Sequence, residues 1–543
     1  MLRPRLRPRL PLLLAAAALA LSSGAAARPR LGVLVVFDQL RSADVDRLEP
    51  AFGPGGFGGL MKKGAARFDA RYPYAVCETS PGHATLATGA GPQVHGITVN
   101  NWWQDGRLVY SVFDPKHRVL GAEDGRDGRG PAQLRVGTLG DTMKVESGGV
   151  AKVITVSLKD RAAVLTAGHA ADLALWYDPD QGRFTTSTAY KDALPSWVEK
   201  LRPRVEQSLK EGTWSPLPVP AGNEPLFLAD EQLGENEVLG GRTFPHDLAA
   251  VADESRRRSW YRGTPQAIDD VFAHALAAVE AEGLGQDIVP DLLVVGVSAT
   301  DFTGHWFGPL SLEMTDLLRR ADQSLRRFVS ALEARFGQDG FVLAVTADHG
   351  STPLSQRAVD AGAVAGRIEV KALLRTVDEA IARAIGGPVK KRTPALLPPH
   401  LWLALDDLSP ADREKAIAAA RKALLAEPGI AATYRVDEPD PPGDPYAEKV
   451  RLSTYPGRTG TILVRQHPRF LFDFTDDFEG TDHGAPYSYD ARVPLYVLGP
   501  GVRRGRFARE VDPRDVAPTL AFLLSVPPPD AAQGKPVPAV GQR

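Results

Sequence analysis

The sequence predicts a doubly wound α/β fold, a mostly parallel sheet with helices on both faces and with an inserted excursion and a small α+β cap. Three observations carry that expectation. Short β-branched runs are too continuously apolar to leave one face in water. Helical periodicities lie between them. Acids, imidazoles and cations recur just beyond the ends of the runs, where ligands bind in an open α/β sheet.

The elements follow in order. The run LGVLVVF (31–37) stops immediately before Asp38. AKVITVS (151–157) leads into LKDR, with Lys159 and Arg161. LLVVGVS (292–298) leads into SATDFTGH, with Asp301 and His305, and FVLAVTA (341–347) leads into Asp348 and His349. VPLYVLG (493–499) reads as a further buried parallel strand, preceded by GTDHGAPYSYD with His483 in a glycine-flanked loop. A helix is expected from about Ser311 to Arg335, with Leu317, Leu318, Ala321, Leu325 and Phe328 on one face. Another is expected after Thr264-Pro265, a cap residue followed by proline at the first helical position. Residues 28–543 read as one catalytic domain, with a Pro/Gly/charge-rich excursion at about 170–260 and a helix-and-strand cap at about 366–450. No internal repeat is present.

Length and composition bound the class. A chain of 543 residues with 43% hydrophobic and 24% charged residues buries a large core. The net charge of −2 gives no reason to expect a nucleic-acid or anionic-membrane partner. Arg3, Arg5, Arg7 and Arg9 precede LPLLLAAAALAL and then SSGAAA, a charged, apolar and small-residue order that reads as a signal peptide over 1–27. The apolar run is shorter than the ~20 residues of a spanning helix, so no stable membrane anchor is expected after cleavage. The expected location is periplasmic or secreted. Cys77 is the one cysteine, which rules out an intramolecular disulfide.

Each chemical feature has an ordinary structural explanation when taken singly. A strand-terminal Asp caps turns; Asp301 and His305, at i and i+4, can be a structural pair on a helix; Lys159 and Arg161 can be a solvated face. The other eight histidines, His83 and His95 among them, read as structural or exposed. The convergence is what points to a site. Asp38, Asp301, Asp348, His305, His349 and His483 offer three carboxylates and three imidazoles, a mixed set that suits Zn²⁺ and also accommodates Mn²⁺ or Fe. Two such ions form a clamp for in-line phosphoryl displacement. Beside them stands CETSPGHATLATG (77–89). Ser80-Pro81 reads as the cap and first-turn pair of a short helix ended by Gly89, which puts Thr79 at a helix N-terminus. This stretch does not by itself choose among Cys77, Thr79 and Ser80 as a nucleophile.

The ordered set VVFDQLR, ETSPGHATLATG, HGITVNNWW, SLKDR, DFTGH, TADHG and TDHGAPYSYD resembles the alkaline phosphatase superfamily. The likeness is to its phosphate-irrepressible periplasmic members with a threonine nucleophile, and it spans most of the chain. The resemblance implies two Zn²⁺ ions, one held by Asp38, Asp348, His349 and Thr79, the other by Asp301, His305 and His483. It implies Thr79 as nucleophile through a phosphothreonine, Ser80 as the helix cap and Cys77 as a packing residue. Asn100 matches the phosphate-contacting Asn, with Asn101 as the adjacent alternative. Lys159 and Arg161 match the Lys-x-Arg pair of the monoesterase branch. The implied function is hydrolysis of small-molecule phosphate monoesters. The alternatives are a phosphodiesterase or nucleotide pyrophosphatase on the same scaffold, and a non-catalytic metal-binding protein. A sulfatase is disfavoured, because Cys77 is followed by Thr79 and Pro81 where formylglycine formation needs Cys-x-Pro-x-Arg.

Overall fold

The computed structural model describes residues 28–474 and 479–541; the signal-peptide expectation for 1–27 lies outside them. Nine strands form the main sheet: β1 (Leu31–Phe37), β2 (Ala66–Arg71), β3 (Val153–Ser157), β4 (Leu173–Asp178), β5 (Arg183–Thr185), β6 (Asp291–Val297), β7 (Phe341–Thr346), β8 (Arg492–Leu498) and β9 (Gly505–Arg506). Their order across the sheet is β9-β2-β8-β7-β1-β6-β3-β4-β5. Strands β7, β1, β6, β3 and β4 are parallel. Every residue of β1, β6 and β7 is buried, so both faces of the sheet centre are covered. Fully burying each Val, Leu or Phe there contributes roughly 1.5–3 kcal/mol of transfer free energy.

One expectation is corrected. The strand expected at 493–499 pairs antiparallel with β7, Ala344 opposite Val497 and Val345 opposite Tyr496. An uninterrupted apolar run reports burial on both faces but carries no information on direction. The reversal leaves the loop before β8 at the carboxyl edge of β7, because an antiparallel strand starts where its neighbour ends.

Four helices matter for the site: α1 (Thr79–Thr88), α2 (Asp160–Ala167), α3 (Ala299–Phe307) and α4 (Leu312–Phe336). Helix α4 begins at Ser311, whose hydroxyl accepts from Met314 N at 3.0 Å. Residues 366–473 build a second unit. Its four-stranded sheet joins Ala395–Leu397, His400–Trp402, Ile462–Gln466 and Ile430–Tyr434, and its helices Val370–Ile385 and Pro410–Leu425 share a separate core with Leu373, Ile381, Leu424 and Val464. Within the long segment between β5 and β6, Gly234 O accepts from Gly480 N at 2.7 Å and Asn236 N donates to Trp306 O at 2.9 Å. That segment therefore backs both the end of α3 and the loop before β8.

Candidate active site

Strand register places the site. Val36 of β1 lies opposite Thr346 of β7 and Gly296 of β6, and Gly296 lies opposite Ser157 of β3. Asp348, Asp38 and Lys159 each stand two positions beyond that row, and Asp301 follows in the first turn of α3. His483 enters from the loop before β8. All ten residues singled out in the sequence converge at this edge, drawn from segments more than 400 residues apart.

The geometry has two adjoining halves. In one, His349 Nε2 lies 3.3 Å from Asp38 Oδ1 and 3.5 Å from Asp348 Oδ2. In the other, Asp301 Oδ1 lies 3.4 Å from His305 Nε2 and 3.6 Å from His483 Nε2. The halves touch, since His349 Nε2 is 3.9 Å from Asp301 Oδ1. Each imidazole is turned inward by a backbone carbonyl on its far side. His349 Nδ1 is 2.9 Å from Gly350 O, His305 Nδ1 is 2.8 Å from Thr481 O and His483 Nδ1 is 2.8 Å from Cys77 O. A carbonyl can only accept, so Nδ1 carries a proton and Nε2 is the nitrogen turned into the site, the orientation of a metal-ligating histidine.

Asp38 Oδ1, Asp301 Oδ1 and His349 Nε2 are buried yet make no hydrogen bond of good geometry among the described residues. Acceptors that converge on one another instead of on donors fit divalent cations, and the three-residue groups within 4.8 Å are Asp38/Asp348/His349, Asp301/His349/His483 and His305/Asp482/His483. Burial opposes ionisation of Asp38 and Asp301, but the Lys159 ammonium and the neighbouring imidazoles together outweigh it and hold both below the usual carboxylate range. Asp348 moves up through burial and the Asp38 charge. Burial and the neighbouring His349 and His305 push His483 far down, so it presents a neutral ring.

Thr79 is fully buried and is the first residue of α1. Its Oγ1 lies 3.1 Å from Lys159 Nζ and 3.5 Å from Arg161 Nη2. Gly82 permits the close packing that brings α1 in, because a Cβ there would stand 2.4 Å from Asp348 O and 2.7 Å from Asp348 Cβ. Ser80 does not cap the helix as expected: its hydroxyl pairs with Ser111 Oγ at 2.7 Å, and the N-cap position is Glu78. The hydroxyl had a partner from a distant loop, which sequence adjacency does not reveal. Cys77 is buried in the main core.

Asn100 Oδ1 accepts from Ser80 N at 2.9 Å, and Asn100 N donates to Glu78 Oε2 at 2.9 Å. With Oδ1 so engaged, the amide Nδ2 donors are what Asn100 offers a ligand. Asn100 and Asn101 both line a cavity of about 230 Å³ that also meets Arg161, His305 and His483. Leu397, Pro398, Leu471 and Phe472 of the 366–473 unit form its outer wall.

Sequence reasoning passed over Glu78, Asp482, Tyr110 and His83 as parts of the site. Glu78, directly before Thr79, is pushed up to about 7 by burial. Asp482 stands beside His305 and His483, and its adjacency to His483 in TDHG was the available signal. His83 is buried as expected, but its Nδ1 lies 3.0 Å from both Thr79 O and Asp348 Oδ2, so it braces two site residues. His95 is buried and hydrogen-bonded to Thr85 Oγ1, a structural role.

Fold and site together define the class, an alkaline phosphatase-like hydrolase fold. The chain belongs to the type I phosphodiesterase/nucleotide pyrophosphatase family, which it matches over residues 32–485. Among curated relatives, a Myroides odoratus protein named a calcium-transporting ATPase is 31% identical, with 94% of each chain covered. Alkaline phosphatase PhoV of Synechococcus elongatus is also 31% identical, over 94% of this chain and 92% of that one. The crystal structure of alkaline phosphatase PafA superposes with a TM-score of 0.85 at 26% identity, covering 95% of this chain and 99% of that one. No helix among the described residues is long and apolar enough to cross a membrane.

Proposed function

We propose that this protein is an exported alkaline phosphatase that hydrolyses small phosphate monoesters through a phosphothreonine at Thr79, with two zinc ions as its cofactor. Asp38, Asp348, His349 and Thr79 would hold one ion, and Asp301, His305 and His483 the other. Such ions lower the pKa of a coordinated hydroxyl and neutralise charge on the attacking and leaving oxygens.

The observation that carries the reading is the pair of cations on one hydroxyl, Lys159 Nζ and Arg161 Nη2 within 3.1 and 3.5 Å of Thr79 Oγ1. A monoester dianion concentrates more charge on its non-bridging oxygens than a diester, so two fixed cations favour it selectively. Thr79 Oγ1 attacks phosphorus as the bond to the leaving oxygen breaks, giving a covalent phosphothreonine and the free alcohol. Asn100, Lys159 and Arg161 hold the non-bridging oxygens throughout, and the amides at the start of α1 add their dipoles. Water then attacks phosphorus from the side the alcohol has left, releasing phosphate and regenerating Thr79. The leaving group lies in the cavity beneath the 366–473 unit.

The deciding experiment measures kcat/KM on matched p-nitrophenyl phosphate, bis(p-nitrophenyl) phosphate and p-nitrophenyl sulfate, with metal analysis of the same sample. A monoester preference supports the reading. A diester preference replaces it with a phosphodiesterase, the activity for which the matched family is named.

A further inference from the structure

We propose that Tyr110 and Asp160 are positioning residues that aim the Arg161 guanidinium at the phosphoryl group and thereby set the preference for monoesters over diesters. This rests on the phosphatase reading above and adds to it two residues to which that reading gives no role.

The hairpin after Asn100 turns back so that Tyr110 pairs with Asn101. One short ribbon thus brings Asn100 and a tyrosine hydroxyl to the same site. Tyr110 Oη donates to Asp160 Oδ1 at 2.6 Å and accepts from Arg161 Nη1 at 3.4 Å. Asp160 Oδ1 also accepts from the backbone N of Arg161 at 2.7 Å, and Oδ2 accepts from Arg129 Nε at 2.7 Å. The Arg129 guanidinium closes the network over the Tyr110 ring, 4.9 Å from its centroid.

The consequence follows from the planar fork of arginine. One terminal nitrogen of Arg161 is tied to Tyr110 and the other reaches toward Thr79 Oγ1, and because the guanidinium is rigid, fixing one nitrogen fixes the other. An unrestrained Arg side chain would have to surrender its rotamer freedom on each binding event. Pre-ordering removes that penalty for the ligand that uses the cation most. That ligand is the dianionic monoester. Asp160 supplies the negative charge that lets a half-buried guanidinium remain in place when no phosphate is bound.

The test compares Tyr110→Phe, Asp160→Asn, Arg161→Ala and the Tyr110→Phe/Arg161→Ala double variant in the metal-loaded enzyme. With p-nitrophenyl phosphate, Tyr110→Phe is expected to lower kcat/KM about tenfold, while bis(p-nitrophenyl) phosphate changes by less than about twofold. In the Arg161→Ala background the same change should have less than about a twofold effect on the monoester, because its route of action is gone. Parallel losses on both esters, a full loss that persists without Arg161, or no loss at all would overturn the proposal. Asp160→Asn repeats the comparison should Tyr110→Phe fail to fold. A wild-type enzyme without monoesterase activity sinks the parent reading alone. In that event weaker binding of inorganic phosphate by Tyr110→Phe, read by calorimetry and absent in the Arg161→Ala background, still decides whether the network acts through Arg161.

Discussion

Lys159 Nζ lies 2.8 Å from Asp38 Oδ2. The same ammonium is 2.5 Å from Asp301 Oδ2, and its side chain is 1% exposed, so a single buried cation spans one carboxylate from each half of the site. A lysine in that place both screens two acids that would otherwise repel and faces the Thr79 hydroxyl. Lys159→Ala should therefore lower kcat/KM for a monoester by about 10²-fold, the usual consequence of removing one fixed transition-state donor. The diester should suffer much less, since its phosphoryl group carries less charge. Steady-state kinetics on the two p-nitrophenyl esters reads the difference, and equal losses would make Lys159 a structural counter-ion only.

Thr79 has no competitor in its own segment. Ser80 Oγ is engaged by Ser111, and burial pushes the Cys77 thiol well above its ordinary range, leaving the Thr79 hydroxyl as the one that meets Lys159 and Arg161. Thr79→Ala is expected to reduce turnover by more than about 10⁴-fold, as loss of a nucleophile does. Metal content, measured by elemental analysis, should stay close to that of the wild type because six other ligands remain. Thr79→Ser should retain measurable activity and trap a phosphorylated residue in acid-quenched mass spectra.

Three carboxylates and three imidazoles packed into one buried space make the fold sensitive to its cations. Metal removal with a chelator leaves Asp38, Asp301 and Asp348 with Lys159 as the cation that pairs directly with two of them, and the melting temperature should fall. Readdition of Zn²⁺ should restore it, each site contributing about 2.7 kcal/mol when free metal exceeds Kd a hundredfold. A melting curve indifferent to chelation would argue against metal at these groups.

The sheet centre was legible because β1, β6 and β7 are buried on both faces and so read as unbroken apolar runs. Their chemistry was legible because the residues after such strands must emerge at one edge. Strand direction was not: β8 carries the same apolar signature as its parallel neighbours. His483 nevertheless reaches the expected edge, since reversing the strand brings the preceding loop there. The parts that stayed hidden depend on side chains meeting across long stretches of chain. Ser80 meets Ser111, Glu78 meets Asn100, and Tyr110 meets Asp160 fifty positions away. No local pattern encodes such pairs, because nothing in the sequence around one partner marks the other.

Cys77 tests the packing of the segment that carries Thr79. It is fully buried, with its thiol raised by burial first and by the Asp490 charge second, so little thiolate exists near neutral pH. A native sample should not react with a thiol reagent such as DTNB over hours, whereas denatured protein should release one equivalent. Cys77→Ser should cost about 1–3 kcal/mol, because it buries a hydroxyl where the core offers the sulfur apolar neighbours. Chemical denaturation reads the loss, and rapid native labelling would show that the segment opens.

A second buried acidic group, away from the proposed metal ligands, gives the fold its own pH dependence. Glu313 in the first turn of α4 and Glu235 are both pushed up to about 8, chiefly by burial, and Glu313 Oε1 is 3.2 Å from His246 Nε2. A carboxyl whose folded value lies above its unfolded one binds its proton more tightly in the native state. Stability from that proton is complete below about pH 4.5 and is lost as pH rises toward about 8, beyond which it stays flat. His246, lowered to about 4 by burial, acts oppositely, but its window closes near its ordinary value of 6.5. Above pH 6.5 His246 adds nothing further, and between pH 6.5 and 9 each of the two carboxyls should take an amount of order 2 kcal/mol from wild-type stability. Glu313→Gln, which keeps the shape and never ionises, should flatten that fall and be the more stable form at pH 9. Melting temperatures at pH 6.5 and pH 9 for both proteins decide it; equal slopes would mean that Glu313 is ionised in the native fold.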